Sequence, residues 1–238
     1  MKKATGPTST AGGPSMGGSP NRPSRPGLCF SAVVLAAGES TRMNGPHKML
    51  LPAPTEPVVR RSTAAVAGSG ATEVVVVTGH NHALVAEALR DLPMRIVYSP
   101  DYQHGQMTSV NVGLAALALP CDAVMVCLAD QVLLSAADYA QLAQAYLNRP
   151  YGSILVPYFE GRRGNPIVFD RKHIAEILQG QRNLGCRKLV QDNPEAVYVY
   201  EAEHDGYVLD LDTPQDYELV LKRLVAAGPQ VSPAPRSP

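Results

Sequence analysis

The chain has 238 residues, and 21 lysines and arginines balance 21 aspartates and glutamates, so its formal net charge is zero. This balance argues against the basic face of a nucleic-acid-binding protein. No apolar run approaches the roughly 20 residues of a membrane span. The four cysteines contain no C-x-x-C pair, which favours reduced thiols in a cytoplasmic protein. We expect one α/β domain with neither a nucleic-acid nor a membrane partner.

Both ends of the chain have the composition of disordered segments. Residues 1–27 are rich in Gly, Pro, Ser and Thr and contain no acidic residue, and residues 228–238 are rich in Pro. Such segments bury too little apolar surface to become ordered. The folded domain is therefore expected over residues 28–227.

Between these ends, apolar runs alternate with helical patterns. Buried or short strands are predicted at residues 30–35, 73–77, 95–97, 123–128, 153–157, 197–200 and 207–209. Helices are predicted at residues 58–67, 82–89, 135–147, 171–178 and 214–225, the last capped by Thr213. This alternation predicts an α/β fold with a mostly parallel sheet.

The loop after the first strand combines small residues with two cations. Ala36, Ala37 and Gly38 carry almost no side chain, so backbone N–H groups there can approach an anion closely. Arg42 offers a forked cation to phosphate oxygens, and Lys48 offers a mobile point charge. The pattern predicts a nucleoside triphosphate site, and a tight turn with two surface cations is the alternative. Neither a Walker P-loop nor a dinucleotide fingerprint is present.

The order Leu-Ala-Ala-Gly-x-Ser-x-Arg-Met, followed by Lys48, resembles the nucleotidyltransferase loop of the MobA-like superfamily, and within it the molybdenum cofactor cytidylyltransferases. This resemblance implies a three-layer Rossmann-like nucleotidyltransferase fold. It implies Arg42 and Lys48 as catalytic residues. It implies nucleotide contacts from Leu35, Ala36, Ala37, Gly38 and Ser40. Ala37 stands where guanylyl-transferring relatives carry glycine, which implies CTP.

Two later stretches complete the expected nucleotide site. Thr78 and Gly79 end the second valine-rich strand and are assigned to nucleotide binding. The stretch from Gly105 to Ser109 resembles the family's G-x-x-x-S-hydrophobic segment, which lines the base and ribose. Its alternative is ordinary capping of a helix by Thr108 or Ser109.

Asp130 and Asp212 are the candidate metal ligands. Asp130 closes a buried strand, where a carboxylate is costly unless a cation meets it, and that edge of an open sheet binds ligands. Mg²⁺ prefers carboxylate and phosphate oxygens. Leu-Ala-Asp-Gln at Asp130 and Asp-x-Asp-Thr-Pro at Asp212 resemble the family's motifs, and Asp210 is a weaker candidate. The alternative for Asp130 is a helix cap. The alternative for Asp210 and Asp212 is a favourable interaction with the positive end of a helix dipole.

The acceptor is expected at two basic segments. Gly-Arg-Arg-Gly-Asn-Pro resembles the family's Gly-x-Arg-Gly-His-Pro loop, which implies acceptor contacts from Arg162, Gly164 and Asn165, with Asn165 replacing the usual histidine. A solvated hairpin turn is the alternative. Residues 180–187 depart from the family's Gly-Asp-x-Gly-Ala-Arg motif but keep Arg187, which is either an acceptor ligand or a surface helix residue.

Taken together, the resemblance implies transfer of CMP from CTP to the phosphate of molybdopterin, with Mg²⁺ as cofactor and pyrophosphate released. A molybdenum hydroxylase or its chaperone is the implied protein partner. Two alternatives stay open. One is a cytidylyl- or uridylyltransferase acting on a sugar or polyol phosphate, and the other is a non-catalytic escort that binds a nucleotide or cofactor.

Overall fold

The computed structural model describes residues 1, 28–43, 45, 47–179 and 186–228. The expected disordered tails, apart from Met1 and Gly228, lie outside the described residues, as do residues 180–185 of the second acceptor segment. Within the described ranges, no helix is long and apolar enough to cross a membrane.

Eight strands form one sheet at the centre of the domain. In chain order they are β1 (Phe30–Ala36), β2 (Glu73–Thr78), β3 (Arg95–Tyr98), β4 (Ala123–Leu128), β5 (Ile154–Phe159), β6 (Arg162–Arg163), β7 (Ile167–Asp170) and β8 (Val197–Glu201). Their order across the sheet is β3-β2-β1-β4-β7-β5-β6, and β8 pairs with β5.

The pairing confirms the predicted α/β fold with a mostly parallel sheet. Strands β1, β2, β3 and β4 run parallel to one another, and β8 runs parallel to β5. Strand β7 is antiparallel to both β4 and β5, and β6 folds back on β5 as a hairpin. The predicted hairpin turn at the two arginines is therefore present, with Glu160 and Gly161 at positive φ.

Helices cover both faces of the sheet and confirm the three-layer architecture. They are α1 (Val58–Ala67), α2 (His82–Leu89), α3 (Gln106–Ala116), α4 (Ala136–Asn148), α5 (His173–Gln179), α6 (Cys186–Asp192) and α7 (Pro214–Ala227). Apolar residues of α1, α2, α4 and α7 pack with one set of sheet residues, which includes Val34 and Met125. Those of α3, α5 and α6 pack with the opposite set, which includes Val33 and Val126. Alternating side chains along each strand thus fill two cores.

One predicted strand is wrong. Residues 207–209 contain β-favouring side chains, but Asp205–Tyr207 forms a 3-10 helix and the residues after it have no regular structure. The carbonyl of Tyr207 accepts hydrogen bonds from the Gln131 side chain and from the Asn165 backbone N–H. Because Gln131 and Asn165 occupy the Tyr207 carbonyl, this carbonyl is not available for hydrogen bonding to a neighbouring strand.

The parallel register brings the candidate loops to one edge of the sheet. Ala36 lies opposite Thr78, and Leu35 lies opposite Leu128, so β1, β2 and β4 end together. Residues 37–43, 79–81 and 129–131 follow these ends. Open parallel sheets bind ligands at this edge.

Gly79 allows the second of these loops to pack closely on the first. A Cβ atom added at Gly79 would lie 2.6 Å from Cγ of Tyr102 and 2.7 Å from the Ala37 carbonyl oxygen. A Cβ added at Gly38 would have no atom within 4 Å. The packing therefore requires glycine at position 79 but has room for a side chain at position 38.

We expect Gly79→Ala to lower the free energy of unfolding by about 1–3 kcal/mol, because the added methyl group overpacks a fixed contact. Gly38→Ala is the matched control, with an expected change within about 0.5 kcal/mol. Urea unfolding of both variants measures the difference. Equal stabilities of the two variants would contradict the close packing at Gly79.

Asp138 ties the start of α4 to the segment before α7. Ser135 and Asp138 form a capping box, in which Asp138 Oδ2 accepts from the Ser135 backbone N–H and hydroxyl, each at 2.7 Å. Nε2 of His204 lies 3.0 Å from the other carboxylate oxygen. Burial alone would raise the pKa of Asp138, but hydrogen bonds from Ser135 and the contact with His204 outweigh it and lower the pKa.

We expect Asp138→Asn to destabilise the protein by about 1 kcal/mol near neutral pH, because charge-assisted hydrogen bonds are lost. A carboxyl with a lowered pKa in the folded state stabilises above its unfolded value of about 3.9, and this stabilisation is lost as pH falls through the folded value. The difference from wild type should therefore shrink at about pH 3. Denaturant unfolding at both pH values tests this, with Asp192→Asn, which breaks an exposed pair with Lys188, as the control. A pH-independent difference would refute the assignment.

Candidate active site

The loop after β1 presents small residues and a cation at the sheet edge. Ala37 is buried, Gly38 is exposed, and Ser40 has a left-handed backbone with φ of 58°. A 3-10 helix, Thr41–Met43, follows, and its buried Met43 anchors the loop in the core. Arg42 therefore projects from a short helix with its side chain 69% exposed.

Lys48 lies between the two predicted metal ligands. Its Nζ is 2.6 Å from Oδ2 of Asp130 and 2.9 Å from Oδ1 of Asp212. The guanidinium of Arg42 contacts the other oxygen of Asp212 at 2.9 Å. The fold therefore brings together all four residues that the sequence assigned to catalysis and metal binding.

Burial shapes the electrostatics of this cluster. Lys48 and Asp130 are each only 8% exposed. Burial alone would lower the pKa of Lys48, but the carboxylates of Asp130 and Asp212 outweigh it and raise the pKa above its ordinary value. Burial also raises the pKa of Asp210, to about 6, with the charges of Asp130 and Asp212 acting in the same direction. Lys48 is therefore cationic at neutral pH.

The carboxylates suit a hard divalent cation. Asp130 Oδ1 and Asp210 Oδ1 are buried and lack hydrogen-bond partners among the described residues, so they are free to ligate a metal ion. No group of three or more His, Cys, Asp or Glu side chains in the described ranges forms a metal cage by itself.

His47 is a site residue that the sequence analysis did not identify. Its Nε2 lies 3.0 Å from the carbonyl oxygen of Gly38. Burial lowers the pKa of His47, so the ring is neutral at pH 7. Because a carbonyl can only accept, Nε2 carries the proton and donates it. The backbone N–H of the next residue, Lys48, donates to Ser40 Oγ at 3.1 Å. His47 and Lys48 thus both bind the loop that follows β1, through Gly38 and Ser40. In the sequence, the only signal for His47 is its position next to Lys48.

The other predicted nucleotide residues divide into backbone and buried positions. The Thr78 hydroxyl donates to the Val97 carbonyl and lies 2.6 Å from Nδ1 of His82, so its side chain is committed to the fold. Ser109 is buried within α3. Gly105 is exposed at φ of 109° and is the N-cap of α3. The alternative that Thr108 or Ser109 caps this helix is therefore wrong.

A separate cleft of ≈ 380 Å³ opens on the face of the sheet that α3 and α6 cover. Its walls combine aliphatic side chains of the sheet and α3 with polar and cationic groups of the two predicted acceptor segments. The lining residues are Leu35, Gln106, Val110, Val126, Arg163, Gly164, Asn165, Ile167, Cys186 and Arg187. Gly164, Asn165 and Arg187 thus meet as the sequence predicted.

Arg163 lines this cleft, whereas Arg162 does not. The two arginines are consecutive in β6, so their side chains leave opposite faces. Arg162 donates to the carbonyl of Val208 at 3.1 Å. Arg163 is half-buried, and burial lowers its pKa. Arg162 is the arginine predicted from the sequence, but strand alternation and the arginine position in the loop motif both indicate Arg163.

The carbonyl of Tyr207 joins the cleft to the ionic cluster. It accepts from the Gln131 side chain at 2.9 Å and from the Asn165 N–H at 2.8 Å. A Cβ at Gly164 would lie 2.3 Å from this oxygen. Gln131 follows Asp130 directly, so the Tyr207 carbonyl connects the Gly164-Asn165 loop to the loop that carries Asp130.

Three relatives match most of the chain. Nicotine blue oxidoreductase of Paenarthrobacter nicotinovorans is 30% identical over 78% of this chain and 93% of its own length. Purine catabolism protein PucB of Bacillus subtilis is 29% identical over 81% and 96%. Molybdenum cofactor cytidylyltransferase of Escherichia coli is 27% identical over 79% and 93%. Their names describe different activities.

Solved structures show the same fold. A nucleotidyl transferase from Methanothermobacter thermautotroptrophicus has a TM-score of 0.72 at 23% identity, covering 85% of this chain and 100% of its own. Rv0371C of Mycobacterium tuberculosis, solved in complex with manganese, has a TM-score of 0.67 at 23% identity, covering 82% and 98%. The MobA-like NTP transferase domain matches residues 32–197. The chain therefore belongs to the MobA-like NTP transferase family.

Proposed function

We propose that this protein transfers a cytidylyl group from CTP to the phosphate of molybdopterin and releases pyrophosphate. The observation that carries the proposal is the convergence of two cations and two carboxylates beside a cleft lined by two arginines. This combination offers cations for a triphosphate, carboxylates for a divalent cation and a separate cationic cleft for a second phosphate. The dinucleotide product would pass to a molybdenum hydroxylase or its chaperone.

The reaction is an in-line displacement at the α-phosphorus of CTP. A phosphate oxygen of the acceptor forms the new bond to phosphorus, and the bond to the β-phosphate oxygen breaks, so pyrophosphate leaves with the electron pair. No protein base is needed, because the second pKa of a phosphate monoester is about 6 and its oxygens are already largely anionic at neutral pH. The protein contributes positioning and electrostatic stabilisation.

Each member of the ionic cluster has a role in this reaction. Lys48 stabilises charge that develops on the α-phosphoryl group, and its burial strengthens that interaction. Arg42, which is exposed, binds the β- and γ-phosphates. Asp130 and Asp212 would hold Mg²⁺, which neutralises negative charge on the triphosphate when bound.

Ala37 supports CTP over GTP and ATP. Its carbonyl accepts from the backbone N–H of His80 at 3.2 Å, so its position is fixed against the neighbouring loop. In guanylyl-transferring relatives the corresponding residue is glycine. A methyl group held at this position leaves less room for a purine than for a pyrimidine.

The lining of the cleft favours a flat, anionic acceptor, and it is also compatible with one alternative acceptor. Aliphatic side chains from β1, β4, β7 and α3 form its floor, and Arg163 and Arg187 supply positive charge. Asn165 and Cys186, which depart from the resembled motifs, also line it. A sugar or polyol phosphate is therefore the second candidate acceptor.

Pyrophosphate release tests the proposal directly. We expect release from CTP, and not from GTP, ATP or UTP, in the presence of Mg²⁺ and molybdopterin. The acceptor must be present, because the cluster lacks a protein nucleophile. Release without molybdopterin, or with a sugar phosphate in its place, would contradict the proposed acceptor. Release from GTP at a similar rate would contradict the role of Ala37.

Arg163→Gln should raise the KM for the acceptor by about 10-fold or more, because one charge-assisted hydrogen bond to phosphate contributes about 1.5–3 kcal/mol. The KM for CTP should change little. Arg162→Gln is the matched control. The guanidinium of Arg162 donates to the backbone carbonyl of Val208 and does not line the cleft. Steady-state kinetics on both variants measure the effect. A larger acceptor defect in the Arg162 variant would reverse the assignment.

A further inference from the structure

Three of the four carboxylate oxygens of Asp130 and Asp212 are already paired with cations. Lys48 Nζ holds one oxygen of Asp130 and one of Asp212. Arg42 holds the second oxygen of Asp212. Of the two carboxylates, only Asp130 Oδ1 is without a hydrogen-bond partner among the described residues. A divalent cation that bridges these carboxylates must therefore compete with Lys48.

We propose that Lys48 excludes the divalent cation from Asp130 and Asp212 until a nucleoside triphosphate draws its ammonium group away, so that metal and nucleotide bind as a pair. The inference rests on the proposed nucleotidyltransferase function and concerns the order and coupling of binding. Lys48 then has two successive partners, the carboxylates first and the triphosphate afterwards.

Burial makes the competition strong. Lys48 is 8% exposed, and its only acidic hydrogen-bond partners among the described residues are Asp130 and Asp212. A metal ion on the same oxygens would lie close to the ammonium group, where little water screens the repulsion. Displacing the ammonium group without a replacement anion would leave a buried charge unpaired, which is costly. Metal binding alone is therefore disfavoured.

The charges explain why a triphosphate removes this barrier. The two cations balance the charges of Asp130 and Asp212, and the neighbouring Asp210, whose pKa is raised to about 6, adds at most one negative charge. A divalent cation alone would leave an excess of positive charge, and a triphosphate alone an excess of negative charge. Arriving together, they compensate each other, and phosphate oxygens become new partners for Lys48 and Arg42. Each ligand should then raise the affinity of the other by the same factor.

The backbone of Lys48 is placed for such a transfer. Its N–H donates to Ser40 Oγ in the nucleotide loop at 3.1 Å, while its side chain reaches the carboxylates. Four side-chain torsions lie between these two contacts. The ammonium group can therefore change partners while the main chain stays on the loop.

Mn²⁺ binding to the full chain, followed by electron paramagnetic resonance of the free ion, tests the inference without measuring turnover. After correction for the Mn²⁺ that CTP chelates in a protein-free titration, we expect CTP to tighten Mn²⁺ binding to wild type by a factor within the usual coupling range of about 5–150. Lys48→Met keeps an unbranched chain of similar length and removes the charge. This variant should bind Mn²⁺ alone about tenfold or more tightly than wild type, with a smaller effect of CTP.

Matched variants connect the gain to the cluster. Lys188→Met removes a cation from an exposed pair on α6 and should leave Mn²⁺ binding unchanged. Adding Asp130→Asn to Lys48→Met should abolish the gain, because a metal ligand is lost. Arg42→Met removes an exposed cation that contacts Asp212, and it should tighten Mn²⁺ binding by a smaller factor. It serves as the second variant if Lys48→Met does not fold by circular dichroism.

The outcomes separate this inference from the proposed function. Equal Mn²⁺ affinities of wild type and a folded Lys48→Met variant, with CTP binding intact in wild type, would overturn the inference alone. Mn²⁺ affinity of wild type that CTP does not change would also overturn it. Failure of wild type to bind CTP at any Mn²⁺ concentration would overturn the proposed function and this inference with it.

Discussion

The ion pairs of Lys48 with Asp130 and Asp212 are the contact on which the rest of the site depends. Asp130 and Asp212 lie 82 and 164 positions after Lys48 in the chain. The pairs therefore connect the loop after β1, the loop after β4 and the segment before the last helix. A buried pair of this kind gains little net stability, yet losing one partner strands a charge and is strongly destabilising. The same buried ion pairs thus join three distant segments of the chain and position the charged groups of the candidate site.

This arrangement is possible because the sheet edge fixes where the loops begin. Parallel pairing ends β1, β2 and β4 at one level, so the main chain presents loops there before any side chain is considered. Gly79 then lets one loop pack against another, and the carbonyl of Tyr207 fastens the acceptor loop to the residue after Asp130. Backbone contacts thus set the spacing between the ionic cluster and the cleft.

The sequence predicts the parts of this structure that local pattern controls. Valine-rich runs buried on both faces identify β1, β2 and β4, and α1 and α2 begin and end at the predicted residues. The strand at 207–209 fails because the Tyr207 carbonyl is bound by distant groups. The roles of Arg163 and His47 are not predicted from the sequence, for a related reason. The direction of an arginine in a two-residue strand, and a ring bond to the Gly38 carbonyl, depend on tertiary placement.

The two halves of the site differ in how tightly the fold constrains them. Leu35, Val126 and Ile167 belong to central strands, so the floor of the cleft cannot change without disturbing a core. Its polar rim comes from a hairpin and from the start of α6, where Gly164 leaves no room for a Cβ atom and Cys186 packs against the same core. The proposed acceptor contacts of Arg163 and Arg187 therefore lie where the sequence can vary without altering the central strands β1, β4 and β7.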